Sequence, residues 1–249
     1  MKEILQKTIP FDALAQVKLP GIAPMPPEDW IMVDEAYGAQ MVERERLLVG
    51  FRPAVLAMES VASAACEELL ETVLEACVAR GDYQVGAEVR CPDGREVAVD
   101  RADPLGTIGR LVQQDFCVLE KQGDEHVMTA AILCFPASWT LEQKIGKPLV
   151  GIHIPVEEYD RDLARRVQRL FDGIKVGRPM WRKNALWYRD PDLHQPRREN
   201  APREEVGVGE GDYLRSERQS LLRLPKTQAV IFGIHTFVLR REDVAVSPA

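Results

Sequence analysis

The run Met128-Thr-Ala-Ala-Ile-Leu-Cys-Phe135 carries a single polar side chain. It is too short to cross a membrane and too continuous for a strand with one wet face. It predicts a central strand covered on both sides. Residues 115–120, Asp-Phe-Cys-Val-Leu-Glu, precede it across Lys121-Gln-Gly-Asp-Glu125, whose glycine suits a hairpin loop. Whatever else the chain does, it builds on this antiparallel pair.

Further strands are predicted on either side. Residues 85–91 and 95–100 flank Pro92-Asp93-Gly94, a turn. Residues 213–224 and 228–241 form a closing pair, the second containing Ala-Val-Ile-Phe-Gly-Ile-His-Thr-Phe-Val-Leu. Helical spacing predicts helices over 35–49 and 57–80, the latter with Val61, Ala65, Leu69, Val73 and Cys77 four apart and Gly81 as its cap. Asp103-Pro104 opens a short helix to Val112. Thr140–Lys144 is a brief helix closed by Gly146. Asp160 caps a helix over 161–172 with an apolar stripe and an arginine face. Pro148 to Val156 is expected to be extended. Residues 1–30, rich in proline, wrap over the rest, and 189–212 form a long loop. Helices come first and antiparallel strands follow, without consecutive βαβ units. The expected fold class is α+β, one domain over 1–249 with a helical part (1–82) and a mainly antiparallel sheet with inserted helices (83–249).

The net charge of −7 argues against binding a nucleic-acid backbone, which needs clustered surplus cations. Five cysteines with no CxxC pair, several in apolar runs, read as buried thiols in a reducing compartment. Neither an apolar leader nor a membrane-length apolar run is present, and a cytoplasmic protein is expected. There is no P-loop and no GxSxG. Gly207-Val-Gly209-Glu-Gly211 follows no strand and opens no helix, so it is not a dinucleotide fingerprint. The four histidines lie too far apart for two to share a helix face as metal ligands.

Polar residues in apolar settings remain as candidates. His153, within Val-Gly-Ile-His-Ile-Pro-Val, is either a core histidine bonded to backbone or an axial ligand to haem iron. His235 lies mid-strand as a core or pocket-lining residue. His194 begins the long loop, and His126 is expected at the surface. On the strand 213–224, alternation puts Arg215, Glu217, Gln219 and Arg223 on one face and Arg218 with Leu214 and Leu222 on the other. Such a strand is either a solvated sheet face or a binder of carboxylates.

Several phrases together resemble a known family. They are Trp30-Ile-Met-Val-Asp34-Glu-Ala-Tyr37, Leu111-Val-Gln-Gln-Asp115-Phe116-Cys-Val-Leu and Cys134-Phe-Pro-Ala-Ser138-Trp139-Thr-Leu-Glu-Gln-Lys-Ile-Gly146. To these are added Ile152-His153-Ile-Pro155-Val156 and Arg215-Ser-Glu217-Arg218-Gln219-Ser-Leu-Leu-Arg223-Leu-Pro225. The sequence resembles the haem-dependent oxidative N-demethylases over nearly its whole length. That resemblance implies a PAS-like antiparallel sheet holding haem b. It implies oxidation of a methyl group of a small secondary amine such as dimethylamine by dioxygen, giving formaldehyde and a primary amine. Electrons would come from NADPH through a separate flavin and iron–sulfur reductase, since this chain lacks both a dinucleotide fingerprint and a cysteine cluster. By the same resemblance His153 is the haem ligand, and Arg215, Arg218 and Arg223 are propionate partners. His235 is a further cofactor-lining residue, and Glu217 and Trp139 are the groups that position the alkylammonium substrate. A PAS-like haem sensor or carrier without turnover is the other reading, and a haem-free interaction subunit is a third.

Overall fold

A computed structural model describes residues 4–15, 21–153, 161–199, 201 and 210–244, with backbone alone for 153 and 161–164. The elements in order are β1 (Ala23–Pro24), α1 (Tyr37–Gly50), α2 (Arg52–Val55), β2 (Leu56–Met58), α3 (Ser63–Arg80), β3 (Gln84–Val85), β4 (Glu88–Arg90) and β5 (Glu96–Ala98). They continue with α4 (Pro104–Leu111), β6 (Asp115–Gln122), β7 (Glu125–Ile132), α5 (Leu149–His153), α6 (Arg161–Gly173), β8 (Met180–Tyr188), β9 (Tyr213–Arg223) and β10 (Val230–Arg240). Helices and antiparallel sheet are mixed, which makes this an α+β protein.

Seven strands form one sheet in the order β1-β8-β9-β10-β6-β7-β2, and β3, β4 and β5 form a second, small sheet. Every described pairing of named strands is antiparallel. The apolar run ends up as expected: Met128, Ala130, Ala131 and Ile132 of β7 are at most 4% exposed. One buried cluster, around Phe116, Val118, Ile132 and Ile231, packs against α1, α3 and α4. The second, around Cys117, Leu119, Leu221 and Ile234, packs against Leu141, α5 and α6. Each fully buried Leu, Ile or Phe contributes about 1.5–3 kcal/mol relative to exposure. Gly233 is required at the centre of β10, where an added Cβ would come within 2.5 Å of Ser220 Oγ and 3.0 Å of the Phe116 ring.

Buried polar contacts tie the helices to the sheet. Arg44 of α1 donates to Asp115 Oδ1 (2.7 Å), to the Gly109 carbonyl (2.9 Å) and to the Gln113 carbonyl (3.0 Å). Asp115 in turn accepts from the backbone N–H groups of Cys134 and Phe135, at 2.8 Å each. Glu68 of α3 takes the N–H groups of Lys226 and Thr227, which clamps the β9–β10 turn. Asp103 caps α4 with its side chain on the Gly106 N–H, and Gly81 ends α3 at φ 79°. All five cysteines are free and buried.

Three local expectations need correction. The helix expected from residue 57 begins only at Ser63, because Leu56–Met58 pairs instead with Ala130–Ile132 at the open edge of β7. Backbone groups there gain partners from the sheet, and this outweighs helical spacing. The stretch expected to be extended from Pro148 is helical through His153, with the Ile152 carbonyl held by Lys144 Nζ at 2.5 Å. His126 is not a surface residue. It is fully buried, with its Nδ1 2.8 Å from Gln168 Nε2 and its ring against Phe171, because the apolar stripe of α6 lies over the hairpin.

Candidate functional site

Side chains alternate across a strand, so the register of the sheet decides which groups meet. Glu217 of β9 is opposite Asn184 of β8 on one side and Thr236 of β10 on the other. The next row toward the end of β9 aligns Arg182, Gln219 and Ile234, and the row before aligns Leu186, Arg215 and Val238. A carboxylate, two guanidinium groups, two amides and a hydroxyl thus share one face. Leu221, Ile234, Cys117 and Phe232 supply the apolar part of that side, where Leu149 and Ile152 of α5 also pack.

Glu217 is buried, with 6% of its surface exposed. Asn184 Nδ2 (3.0 Å) and Gln219 Nε2 (2.9 Å) both donate to Oε2. Oε1 has no hydrogen bond among the described residues. Arg215, 3% exposed, spends its terminal nitrogens on the carbonyls of Leu193 (3.0 Å) and Phe135 (2.7 Å). Its Nε is buried without a partner, as are Arg182 Nε and Thr236 Oγ1. Arg182 makes no side-chain hydrogen bond among the described residues. Burial lowers the pKa of both Arg182 and Arg215, partly offset by the charge of Glu217. Buried polar atoms are nearly always paired, so these three atoms leave hydrogen-bonding capacity unused around Glu217.

The other predicted residues are distributed as follows. Trp139 packs at the edge of the cluster on the same side as Glu217, next to Ser138, whose φ of 63° is left-handed. The backbone of His153 ends α5 on that side too, and its side chain lies outside the described residues. Arg218 points to the opposite face, where its Nη2 meets Met25 Sδ at 2.8 Å and its guanidinium stacks on the Trp181 ring. Arg223 donates to the carbonyls of Ile174 and Phe171 (2.6 Å each) and of Gln228 (2.7 Å), closing the C-terminal end of α6. The three arginines therefore do not converge on one ligand. His235 also sits on the helix-covered face, with Nε2 2.9 Å from Asp34 Oδ2. Gln6 and Gln113 donate to the same carboxylate. Burial works to raise the Asp34 carboxyl, but these hydrogen bonds and the nearby imidazole outweigh it and leave its pKa below the ordinary value. His194 holds the Cys134 carbonyl through Nδ1.

A family model described as haem-dependent oxidative N-demethylase, alpha subunit-like, matches residues 21–249. The chain belongs to this family. Haem is thus the group to test against the Glu217 face, and the polar donors there fit its carboxylates. Arg215, which is buried, and Arg182, which is half-buried, both keep an Nε donor without a partner, and such donors suit propionate carboxylates. The apolar cluster beside them is closely packed, with Cys117, Leu221 and Ile234 at most 4% exposed. Among the described residues no three His, Cys, Asp or Glu side chains gather as a metal set. A haem protein has no need of one, because the porphyrin brings nitrogen ligands of its own and a single axial histidine suffices. No helix among the described residues is long and apolar enough to cross a membrane.

Arg182, Asn184 and Thr236 were not singled out by sequence. Their signal was faint: Met180-Trp-Arg182-Lys-Asn184 alternates like a strand, but nothing in it says which residue of β9 it faces.

Proposed function

We propose that this chain is the haem b-binding, PAS-like subunit of a monooxygenase that oxidatively removes a methyl group from a small secondary amine such as dimethylamine. The products are formaldehyde and a primary amine. The observation that carries the reading is the set of orphaned donors, Arg182 Nε, Arg215 Nε and Thr236 Oγ1, around Glu217 in a chain of this family. His153 would ligate the haem iron, and Arg182 and Arg215 would hold the propionates. The chemistry that bound haem supplies is oxidation of a methyl C–H bond by dioxygen. Glu217 holds the alkylammonium ion through Oε1, while Asn184 and Gln219 fix the carboxylate by their bonds to Oε2. Trp139 offers an aromatic face to the same cation. The apolar side chains around the site exclude water from the reacting methyl group. The alpha-subunit character of the family fits a need for a separate NADPH-linked flavin and iron–sulfur reductase.

The test is spectroscopic first. The protein expressed with iron is expected to show a Soret band that His153→Ala loses. With a reductase supplying electrons, dimethylamine is expected to yield formaldehyde, and Glu217→Gln to lower that yield by about tenfold or more at unchanged haem content. A protein that takes up no haemin sinks the haem reading. A haem-loaded protein that forms no formaldehyde from any methylamine is a sensor or carrier instead.

A further inference from the structure

Arg218 raises a separate question, because it faces away from the Glu217 site. It is 8% exposed, yet its one described hydrogen bond goes to a thioether sulfur, a weak acceptor. Among the described residues no carboxylate lies within ion-pair distance. Burial lowers its pKa, which the more distant charge of Asp29 only partly offsets. A desolvated cation without an oxygen acceptor is costly to keep in a fold.

The guanidinium opens onto a cleft of about 360 Å³ between the N-terminal segment and the sheet. That is within the range of small-molecule sites. Phe11 and Trp181 form an aromatic wall, their rings 5.5 Å apart and tilted by 57°. Met25 and Ile31 are buried apolar neighbours. His235 is the direct cross-strand partner of Arg218, and its Nδ1 is buried without a partner. Glu28 and Asp29 sit exposed among the lining residues, and Arg80 is already engaged with Asp82 and the Ile31 carbonyl. The free cation is therefore at the buried end, and negative charge is at the rim. A carboxylate suits the first. The second disfavours ligands with several negative charges, such as nucleotides.

We propose that this cleft is a second ligand site, on the opposite face of the sheet from Glu217, for a small monocarboxylate with an aromatic or branched apolar body. Its carboxylate pairs with Arg218 and its apolar body lies against Trp181 and Phe11. This does not depend on the haem reading.

The experiment titrates the full-length protein, as purified, with phenylacetate, indole-3-acetate and isovalerate, and with phenylacetamide as the uncharged control. Isothermal titration and the Soret spectrum are followed together. Saturable binding of at least one acid is expected, with the amide weaker by about tenfold or more and no change in the haem spectrum. Arg218→Gln is expected to abolish that preference, and Arg182→Gln to leave it intact. Absence of saturable binding by all three acids overturns the proposal. So does equal binding of acid and amide, or binding that perturbs the Soret band or is lost in Arg182→Gln. The contrast between acid and amide is read in the unaltered protein, so it stands even if Arg218→Gln does not fold.

Discussion

The two faces of the large sheet treat their polar side chains differently. Where the helices meet the sheet, Arg44, Asp115, Asp34, Gln6, Gln40 and Gln113 are one another's partners or hold backbone groups. Arg44 Nη2, Gln114 Oε1 and His235 Nδ1 are left over on side chains otherwise engaged, and the buried Trp30 Nε1 has no partner. On the Glu217 side, Arg182 has no described hydrogen bond and the Thr236 hydroxyl has none. The first kind of buried polarity fastens elements together. The second leaves hydrogen-bonding capacity unused, and a ligand can claim it. Glu217 and Arg218, neighbours on β9, face opposite sides, and Arg218 is the exception on the helical side, where its one described hydrogen bond goes to a thioether.

The largest effect expected from this contrast is on stability. Asp115→Ala strands the buried Arg44 cation and two backbone N–H groups, and about 3–5 kcal/mol of folding free energy should be lost in chemical denaturation. A loss below 1 kcal/mol would mean that the helical side is not held as described. Arg182→Met should behave in the opposite way. Removing a half-buried cation with no described side-chain hydrogen bond should leave the stability of the haem-free protein unchanged or raise it by about 1 kcal/mol, while haem affinity falls. If Arg182→Met destabilises as Asp115→Ala does, the division into fastening and receiving faces is broken.

The smallest effect is a slope with pH. Burial pushes the His126 imidazole below its ordinary value, against the raising influence of Gln168 and Asp172. The unfolded chain therefore binds a proton more readily than the fold does. The stability tied to neutral His126 is full above the unfolded value of about 6.5 and is lost as pH falls through the lower folded value. His126→Gln should flatten the stability curve in that window, as measured by denaturation at a series of pH values. An unchanged slope would show that α6 does not depend on a neutral histidine beneath it.

The phrases that carry the family resemblance turn out to be mostly structural. Asp34 organises the glutamine network, Tyr37 bonds the Leu111 carbonyl at 2.6 Å, and Asp115 receives Arg44. They identify the family well because a fold depends on them, and for the same reason they say little about the reaction. Residues of the candidate site were legible only where one strand contains them. Arg215, Glu217 and Gln219 alternate within β9 and could be assigned a common face. Arg182 and Thr236 join them through pairing with other strands.

Local chemistry alone thus determined much of this protein. The uninterrupted apolar run made β7 a covered strand, Asp103-Pro104 opened α4, Gly81 closed α3, and alternation split β9 into two faces. These signals depend on neighbours a few residues away, and the chain reports them directly. Only the tertiary structure decided that Leu56–Met58 would join the sheet, that α6 would bury His126, and that His235 would meet Asp34 from 201 positions away. It also placed Arg182, Glu217 and Thr236 on one face. Such contacts follow from register and from competition for unpaired backbone at a strand edge, and no local pattern in sequence encodes either.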